Sequence, residues 1–478
     1  MKSSSVRVRF APSPTGFMHL GNVRAALMNF LFARQKQGTF ILRIEDTDAQ
    51  RDASQYGTQI FEDLAWLGFS YDEGPDKGGP HAPYRQSERT DIYEKHLHIL
   101  EEKKSVYRCF CTTEELEKKR QRQIALKLPP RYDRTCCALT DAQINERLAA
   151  HVPFIWRFKL DETKSSNFYD MAKQNMSFEL KNFSDFSLTR QDGSFTFMFA
   201  NFVDDLTMNI THVFRGEDHL TNTAGQVALY QEFNAQIPVF WHLPIMINHE
   251  GKKLSKRDFG FSLTDLKKAG FVHEAISNYL AIISGSFSQE IMSIEQLIAQ
   301  VNFDAVASTG QVRYDVEKLR WINHHWLMSY QPSVLASLCA DMLREAYPAV
   351  TDLSHEKLTF LISHIREELV TLRDSVSALK FIFEEPSVSP EILEAYKLSE
   401  FKSFFETELM PLSSQISDTS EYVTQVQKKS RERGYKLKDI FTLYRLALTG
   451  KTEGPGIKEL LTMLGHEEAH KRLKRLIV

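Results

Sequence analysis

The opening segment limits what this chain can fold into more than any other. Val6–Phe10 (VRVRF) alternates apolar and basic residues, the period of a strand. From Asn22 to Gln37, apolar Val23, Leu27, Phe30 and Leu31 recur at helical spacing, and Gly38 ends the pattern. Thr39–Asp46 (TFILRIED) returns to a strand. Strand, helix, strand within about 40 residues is a βαβ unit, which demands a parallel sheet and a right-handed crossover. The junction APSPTGFMHLG, Ala11–Gly21, then lies at the carboxyl end of the first strand, where open α/β sheets bind ligands. Its prolines and Thr-Gly turn fix a tight path, and the helix start offers bare backbone N–H groups suited to phosphate.

At 478 residues the chain exceeds a single core, and two to four domains are expected. The net charge of −3 gives no global basic field, although a one-sided basic stripe can hide within such a balance. No run approaches the ~20 apolar residues that span a bilayer. The start MKSSSVRVRF lacks the apolar core of an export signal, so the five cysteines are expected to be reduced thiols in a cytoplasmic protein.

Further along, EELEKKRQRQIALK (Glu114–Lys127) reads as a basic helix, followed by short strands and polar loops to about Lys181. Strand-like segments resume with SFTFMFANFVDD and ITHVFRGED, so the intervening stretch is expected to interrupt the sheet as an insertion. Beyond about Gly310 the pattern is helical. Leu437, Ile440, Phe441 and Tyr444 share one face before Gly450, and Ile457, Leu460, Leu461 and Leu464 another.

Two stretches carry candidate chemistry. His19-Leu20-Gly21-Asn22 sits at the strand-to-helix turn, where a histidine can donate to a phosphate oxygen and Gly21 admits a ligand to the backbone. Gly251–Asp258 (GKKLSKRD) is a basic loop able to fold over a triphosphate, with Lys253 and Lys256 as point charges. Alone, each is also compatible with an ordinary surface turn.

Together with Ile41–Asp48 (ILRIEDTD) and Thr211–Asp218 (THVFRGED), these stretches resemble the motif set of the class I aminoacyl-tRNA synthetases, in particular the bacterial glutamyl-tRNA synthetases. The resemblance runs over nearly the whole chain. It implies an α/β, Rossmann-type catalytic domain with an insertion contacting the tRNA acceptor end, and an all-α C-terminal anticodon-binding region. The expected boundaries are 1–111 and 191–250 for the catalytic halves, 112–190 for the insertion, 251–325 for a stem-contact region and 326–478 for the helical region. The implied reaction is ATP- and Mg2+-dependent formation of glutamyl-adenylate, then transfer to tRNA(Glu), with tRNA(Gln) as a further candidate substrate. A monomer is the family expectation. Two other readings are an inactive tRNA-binding paralogue and a glutamyl transferase acting on a modified tRNA base. Retention of His19, Lys256 and Arg215 counts against the first, and the long helical tail against the second.

By resemblance, His19, Gly21, Asn22, Lys253, Ser255 and Lys256 face ATP, with His19, Gly21, Lys253 and Lys256 catalytic. Arg9, Ser13, Glu45, Phe197, Asn201 and Arg215 line the glutamate site. Guanidinium forks at Arg9 and Arg215 are expected to meet the substrate carboxylate bidentately, and Glu45 its ammonium group. Glutaminyl relatives lack the arginine of VFRGED, so Arg215 implies glutamate. Three positions depart from the pattern: Asn22 stands where many class I enzymes have histidine, Phe197 replaces a tyrosine, and Ala138 a histidine. Cys109 and Cys111, with 24 residues between Cys111 and Cys136, are consistent with a structural zinc whose fourth ligand is Tyr132. Reduced thiols without metal are the alternative. In the tail, Arg366, Arg373 and Lys428–Lys438 offer charge to phosphates, and Cys339 is expected in the core.

Overall fold

The structure is a computed structural model that describes residues 5–47, 53–285, 287–305, 310–396 and 398–477. Asp48, the last residue of the ILRIEDTD motif, lies outside the described residues. The chain divides into two units, one of Met1–Asp265 with Ile276–Val316, the other of Leu266–Ala275 with Glu317–Val478.

The first unit opens as the binary pattern predicts. Strand β1 (Arg7–Phe10) leads through the proline junction into helix α1 (Leu20–Gln35) and strand β2 (Thr39–Leu42). β1 and β2 pair in parallel, Arg7 opposite Thr39 and Phe10 opposite Leu42. Buried Val23, Leu27, Phe30 and Leu31 pack the inner face of α1. Helices α2 (Ala53–Leu67) and α3 (Thr90–Glu102) follow. Strand β3 (Val106–Cys109) then pairs antiparallel with β4 (Ile155–Phe158), and helices α4 (Thr113–Ala125) and α5 (Asp141–Ala149) lie between them in sequence.

Strands β5 (Ser165–Asp170) and β6 (Gln174–Glu179) form a hairpin. After helix α6 (Phe197–Thr207) come strand β7 (His212–Gly216), helix α7 (Leu220–Glu232) and strand β8 (Val239–Leu243). These strands make one sheet in the order β6-β5-β8-β7. Thr211, just before β7, accepts from and donates to the backbone of Arg7, which sets β1 beside β7. Two expectations are corrected here. β5 and β6 fall inside the stretch read as an insertion, yet β5 pairs with β8 through Asp170 and Phe240 and belongs to the main sheet. The segment read as strand at SFTFMFANFVDD is instead helix α6. Its aromatic and β-branched content imitates a strand, but Phe199, Phe202 and Val203 are buried at helical spacing.

The described part of the second unit contains no strand. Helix Leu437–Thr449 ends at Gly450 with φ of 73°, a left-handed stop that suits glycine, and Ile457–Leu464 ends at Gly465. Cys339 is fully buried in the core of this unit. Among the described residues no helix is long and apolar enough to cross a membrane.

Candidate active site

A cavity of about 1100 Å³ opens at the carboxyl ends of β1 and β7. Its volume suits a nucleotide together with a small polar substrate. Eleven of the twelve nucleotide- and glutamate-site residues singled out from sequence line it: Arg9, Ser13, His19, Gly21, Asn22, Glu45, Phe197, Asn201, Arg215, Lys253 and Lys256. Ser255 does not. Its N–H and hydroxyl both turn onto Asp258 Oδ2 at 2.8 and 2.9 Å, closing the lysine loop, while Leu254 takes the place on the cavity wall.

At one end, His19 caps α1, its Nδ1 accepting from the Asn22 N–H at 3.2 Å. Nδ1 is therefore the acceptor of a neutral ring, and Nε2–H is left to donate outward. Burial, reinforced by nearby Lys253, lowers the His19 pKa and favours that neutral form. Gly21 leaves room for this arrangement, since a Cβ there would press on the imidazole at 3.0 Å. The chain after the lysine loop is tied to the same turn. Leu20 N–H donates to Phe261 O at 2.9 Å and Leu263 N–H to Met18 O at 2.8 Å. Lys253 reaches Asp218 at 3.3 Å, an exposed pair of little energetic weight, and Lys256 makes no ion pair among the described residues.

The other end is a buried charge network. Arg43, fully buried, contacts Glu45 at 3.1 Å, Asp205 at 2.6 Å and Asp204 at 3.6 Å. Arg89 holds Asp204 at 2.6 Å. Arg9 spends Nε and Nη2 on Asp205, at 3.1 and 3.3 Å. Burial pushes the Glu45 carboxyl above its usual range against the pull of Arg43. Burial also opposes ionisation of Asp205, but Arg9 and Arg43 win and hold it low. These three arginines meet three carboxylates, and a fourth buried arginine, Arg215, brings one positive charge in excess.

That excess falls on Arg215. Its Nη2 donates to Thr223 Oγ1 and Gln226 Oε1, both at 2.7 Å, while Nε and Nη1 are buried without a hydrogen-bond partner. Burial, with Arg9 nearby adding to it, drops its pKa to about 10. Arg9 closes its side-on fork on Asp205, because a buried guanidinium needs a counter-charge, and keeps its end-on face for a ligand. Arg215 likewise has one nitrogen already committed. Nη1 on each arginine, and Nε of Arg215, remain for a ligand. Phe197 packs tilted against His219 at 5.3 Å and offers no hydroxyl. The network partners Arg43, Asp204, Asp205, Thr223 and Gln226 were not read from the sequence. Only the threefold spacing of Thr223 and Gln226 on one helical face hints at a shared role.

A family model described as tRNA synthetases class I (E and Q), catalytic domain, matches residues 5–321. The chain belongs to the class I tRNA synthetases. A second model, an anticodon binding domain, matches residues 334–477 of the synthetase. It is 38% identical to the glutamate–tRNA ligase of Sulfurihydrogenibium, over 98% of this chain and 99% of that one. With the Bacillus subtilis enzyme of the same name it shares 36% identity, over 99% and 100%. A crystal structure of the Elizabethkingia meningosepticum glutamate tRNA ligase in complex with its amino acid superposes with a TM-score of 0.89. That pair is 32% identical, and the match covers 99% of each chain.

Away from the cavity, the synthetase gathers Cys109, Cys111 and Cys136 so that their sulfurs lie within 4.8 Å of one another. The Tyr132 hydroxyl lies beside them, 3.3 Å from Cys109 Sγ and 3.8 Å from Cys111 Sγ. In the helical unit, part of the expected phosphate-facing charge is already paired: Arg373 with Glu345 at 3.2 Å, and Lys429 and Arg433 with Glu408.

Proposed function

We propose that this synthetase is a glutamate–tRNA ligase, which activates L-glutamate with ATP and esterifies it to the 3′ end of tRNA(Glu). The observation that carries the reading is the unmatched charge of Arg215 on the wall of the cavity. A substrate side-chain carboxylate supplies the missing counter-charge at Nη1 of Arg215 and Arg9. Glutamine brings no charge there and leaves the guanidinium exposed to the same desolvation penalty. Glu45, raised by burial, accepts the substrate ammonium, and Asn201 Nδ2 holds Glu45 in place at 2.6 Å.

ATP, as its magnesium complex, occupies the end formed by the His19 turn and the lysine loop. The α-carboxylate of glutamate attacks the α-phosphorus; a new C–O–P bond forms and pyrophosphate leaves. His19 Nε2–H, Lys253 and Lys256 bear on the charge that builds on the departing oxygens. The terminal ribose hydroxyl of tRNA then attacks the mixed-anhydride carbonyl, and AMP leaves. Arg43 stays clear of the reacting atoms and keeps Glu45 and Asp205 apart and ionised. The stretch carrying α4 and α5 is assigned to the acceptor end of the tRNA, and residues 334–477 to its anticodon.

The thiol cluster fits zinc through Cys109, Cys111 and Cys136 with Tyr132 as fourth ligand. Bound there, the ion would be structural, clipping β3 to the turn at Thr135–Ala138.

Charging of purified tRNA(Glu) and tRNA(Gln) with labelled glutamate, and with labelled glutamine as control, tests the reading. Glutamate on tRNA(Glu), with glutamine refused, is the expected result. Glutamate on both tRNAs marks an enzyme that does not discriminate anticodons. No charging of either tRNA despite binding overturns the proposal in favour of a tRNA-binding paralogue.

A further inference from the structure

Arg215 is held from behind by a chain of groups that play no part in the reaction above. In the sheet order β5-β8-β7, Arg215 stands opposite His242 on the neighbouring strand, and Asp170 ends the strand on the far side of β8. Asp170 and His242 are almost completely buried, as is Thr223 on α7 above them. Arg215 Nη2 donates to Thr223 Oγ1 at 2.7 Å. Thr223 Oγ1 lies 2.7 Å from His242 Nε2, and His242 Nδ1 lies 2.7 Å from Asp170 Oδ2.

The ends of the chain and the neutral state of His242 together set the direction of these bonds. A guanidinium can only donate and an ionised carboxylate can only accept. Asp170 also accepts the N–H groups of Ala172, Lys173 and His242, so it is anchored as a carboxylate. Neutral His242, with its proton on Nδ1, then accepts at Nε2 from the Thr223 hydroxyl at 2.7 Å, a shorter contact than that hydroxyl's other acceptor, the His219 carbonyl at 3.1 Å, and the hydroxyl in turn accepts from Arg215. Burial, with Arg215 adding to it against the pull of Asp170, lowers the His242 pKa and keeps the ring neutral, as that order requires. His242 stacks on Phe240 at 5.7 Å and 12°, and the Arg215 guanidinium lies 5.6 Å over that same ring.

We propose that Asp170, His242 and Thr223 form a one-way hydrogen-bond relay that fixes the Arg215 guanidinium against the substrate's side-chain carboxylate, making Thr223 and His242 positioning residues for amino-acid selection. This rests on the glutamate reading given above. Nη2 is the branch point, since Gln226 Oε1 accepts from it as well, Gln226 Nε2 donates to Asn201 Oδ1 at 2.9 Å, and Asn201 reaches Glu45. The cation that meets the carboxylate and the carboxylate that meets the ammonium are thereby set at a fixed separation. An arginine side chain carries large rotamer entropy, and anchoring it beforehand removes that loss from the binding step.

The test compares Thr223→Val, which keeps shape and removes the hydroxyl, with Thr223→Ser, which restores it, in steady-state charging of tRNA(Glu). Loss of one charge-assisted bond predicts a rise in the glutamate KM of about tenfold in Thr223→Val. Its ATP KM and kcat should stay within about twofold of the unsubstituted enzyme, and Thr223→Ser should restore the glutamate KM to within about twofold. His242→Gln gives the same split should Thr223→Val fold poorly, because its amide oxygen cannot reproduce both ends of the relay. A glutamate KM that does not move overturns the inference, and so does an equal rise for glutamate and ATP, the mark of a merely structural role. If the unsubstituted enzyme itself fails to charge glutamate, it is the functional reading that falls instead.

Discussion

Arg215→Met removes the one charge of the buried network that the chain leaves unmatched. The fall of the Arg215 pKa from 12.5 to about 10 corresponds to about 3 kcal/mol of penalty in the folded, unliganded enzyme. Arginine is protonated at neutral pH whether the chain is folded or not. The penalty is therefore fully present below pH ~10 and fades only as pH rises towards the unfolded value. Substitution removes this penalty but strands Gln226 Oε1, a loss of about 1–3 kcal/mol, while Thr223 keeps its bond to His242. The two terms nearly cancel. Unliganded Arg215→Met should hold its stability to within about 2 kcal/mol, whereas breaking a matched buried pair costs about 3–5 kcal/mol. Glutamate use should nonetheless fall by about 2–5 kcal/mol in kcat/KM, some thirtyfold to a few thousandfold. Urea midpoints of the first unfolding transition, with and without glutamate at about ten times its Kd, check both halves. The unsubstituted enzyme should gain about 1.4 kcal/mol from the ligand and the variant nothing. A variant that loses 3 kcal/mol or more without ligand (taking ~3 as the matched-pair threshold) would falsify the claim that this charge lacks a partner.

Other substitutions separate the two ends of the cavity. Gly21→Ala places a Cβ 3.0 Å from the His19 ring, displacing it from the Asn22 N–H. Loss of the cap should lower stability by about 1 kcal/mol and raise the ATP KM without moving the glutamate KM; equal shifts in both KM values would count against the assignment. Lys256→Ala should leave stability within about 0.5 kcal/mol, since the side chain is exposed, and tRNA binding nearly intact. Adenylate formation should fall by about a hundredfold or more, and normal ATP-dependent charging would refute its role. Elemental analysis of the purified chain should find one zinc, lost on Cys111→Ser, with a lower melting temperature on chelation; metal-free protein whose melting ignores chelators would leave the thiols as plain core.

What could be read from sequence was what repeats locally. The βαβ start follows from a period of two beside a period of 3.6, and the thiol cluster from a Cys-x-Cys pair and a third cysteine at a set distance along the chain. The charge network has no such trace. Arg9 finds Asp205 across 196 positions, and Asn201 finds Glu45 across 156. Arginine and aspartate at these positions look like solvated surface until the strands bring them together. The relay behind Arg215 depends on the register of three strands, which no single strand encodes. Helix α6 was missed for the opposite reason: its local composition favours a strand, and packing of Phe199 and Phe202 decides otherwise.

The caps and the thin core around α4 and α5 have a consequence for how the enzyme breathes. Neither helix buries a single residue, yet each begins with a complete reciprocal cap, Thr112 with Glu115 and Thr140 with Gln143. Beneath them, among the described residues, the fully buried cluster is Cys109, Phe110 and Cys136, with half-buried side chains such as Ile144 and Leu148 of α5 packed on it. Local hydrogen bonds keep the helices formed, while little apolar surface holds them down. Their amides should therefore exchange with solvent long before those of β5, β7 and β8, without any loosening of the cavity. This lobe can reshape itself around a large polyanion while the atoms that read the amino acid stay still.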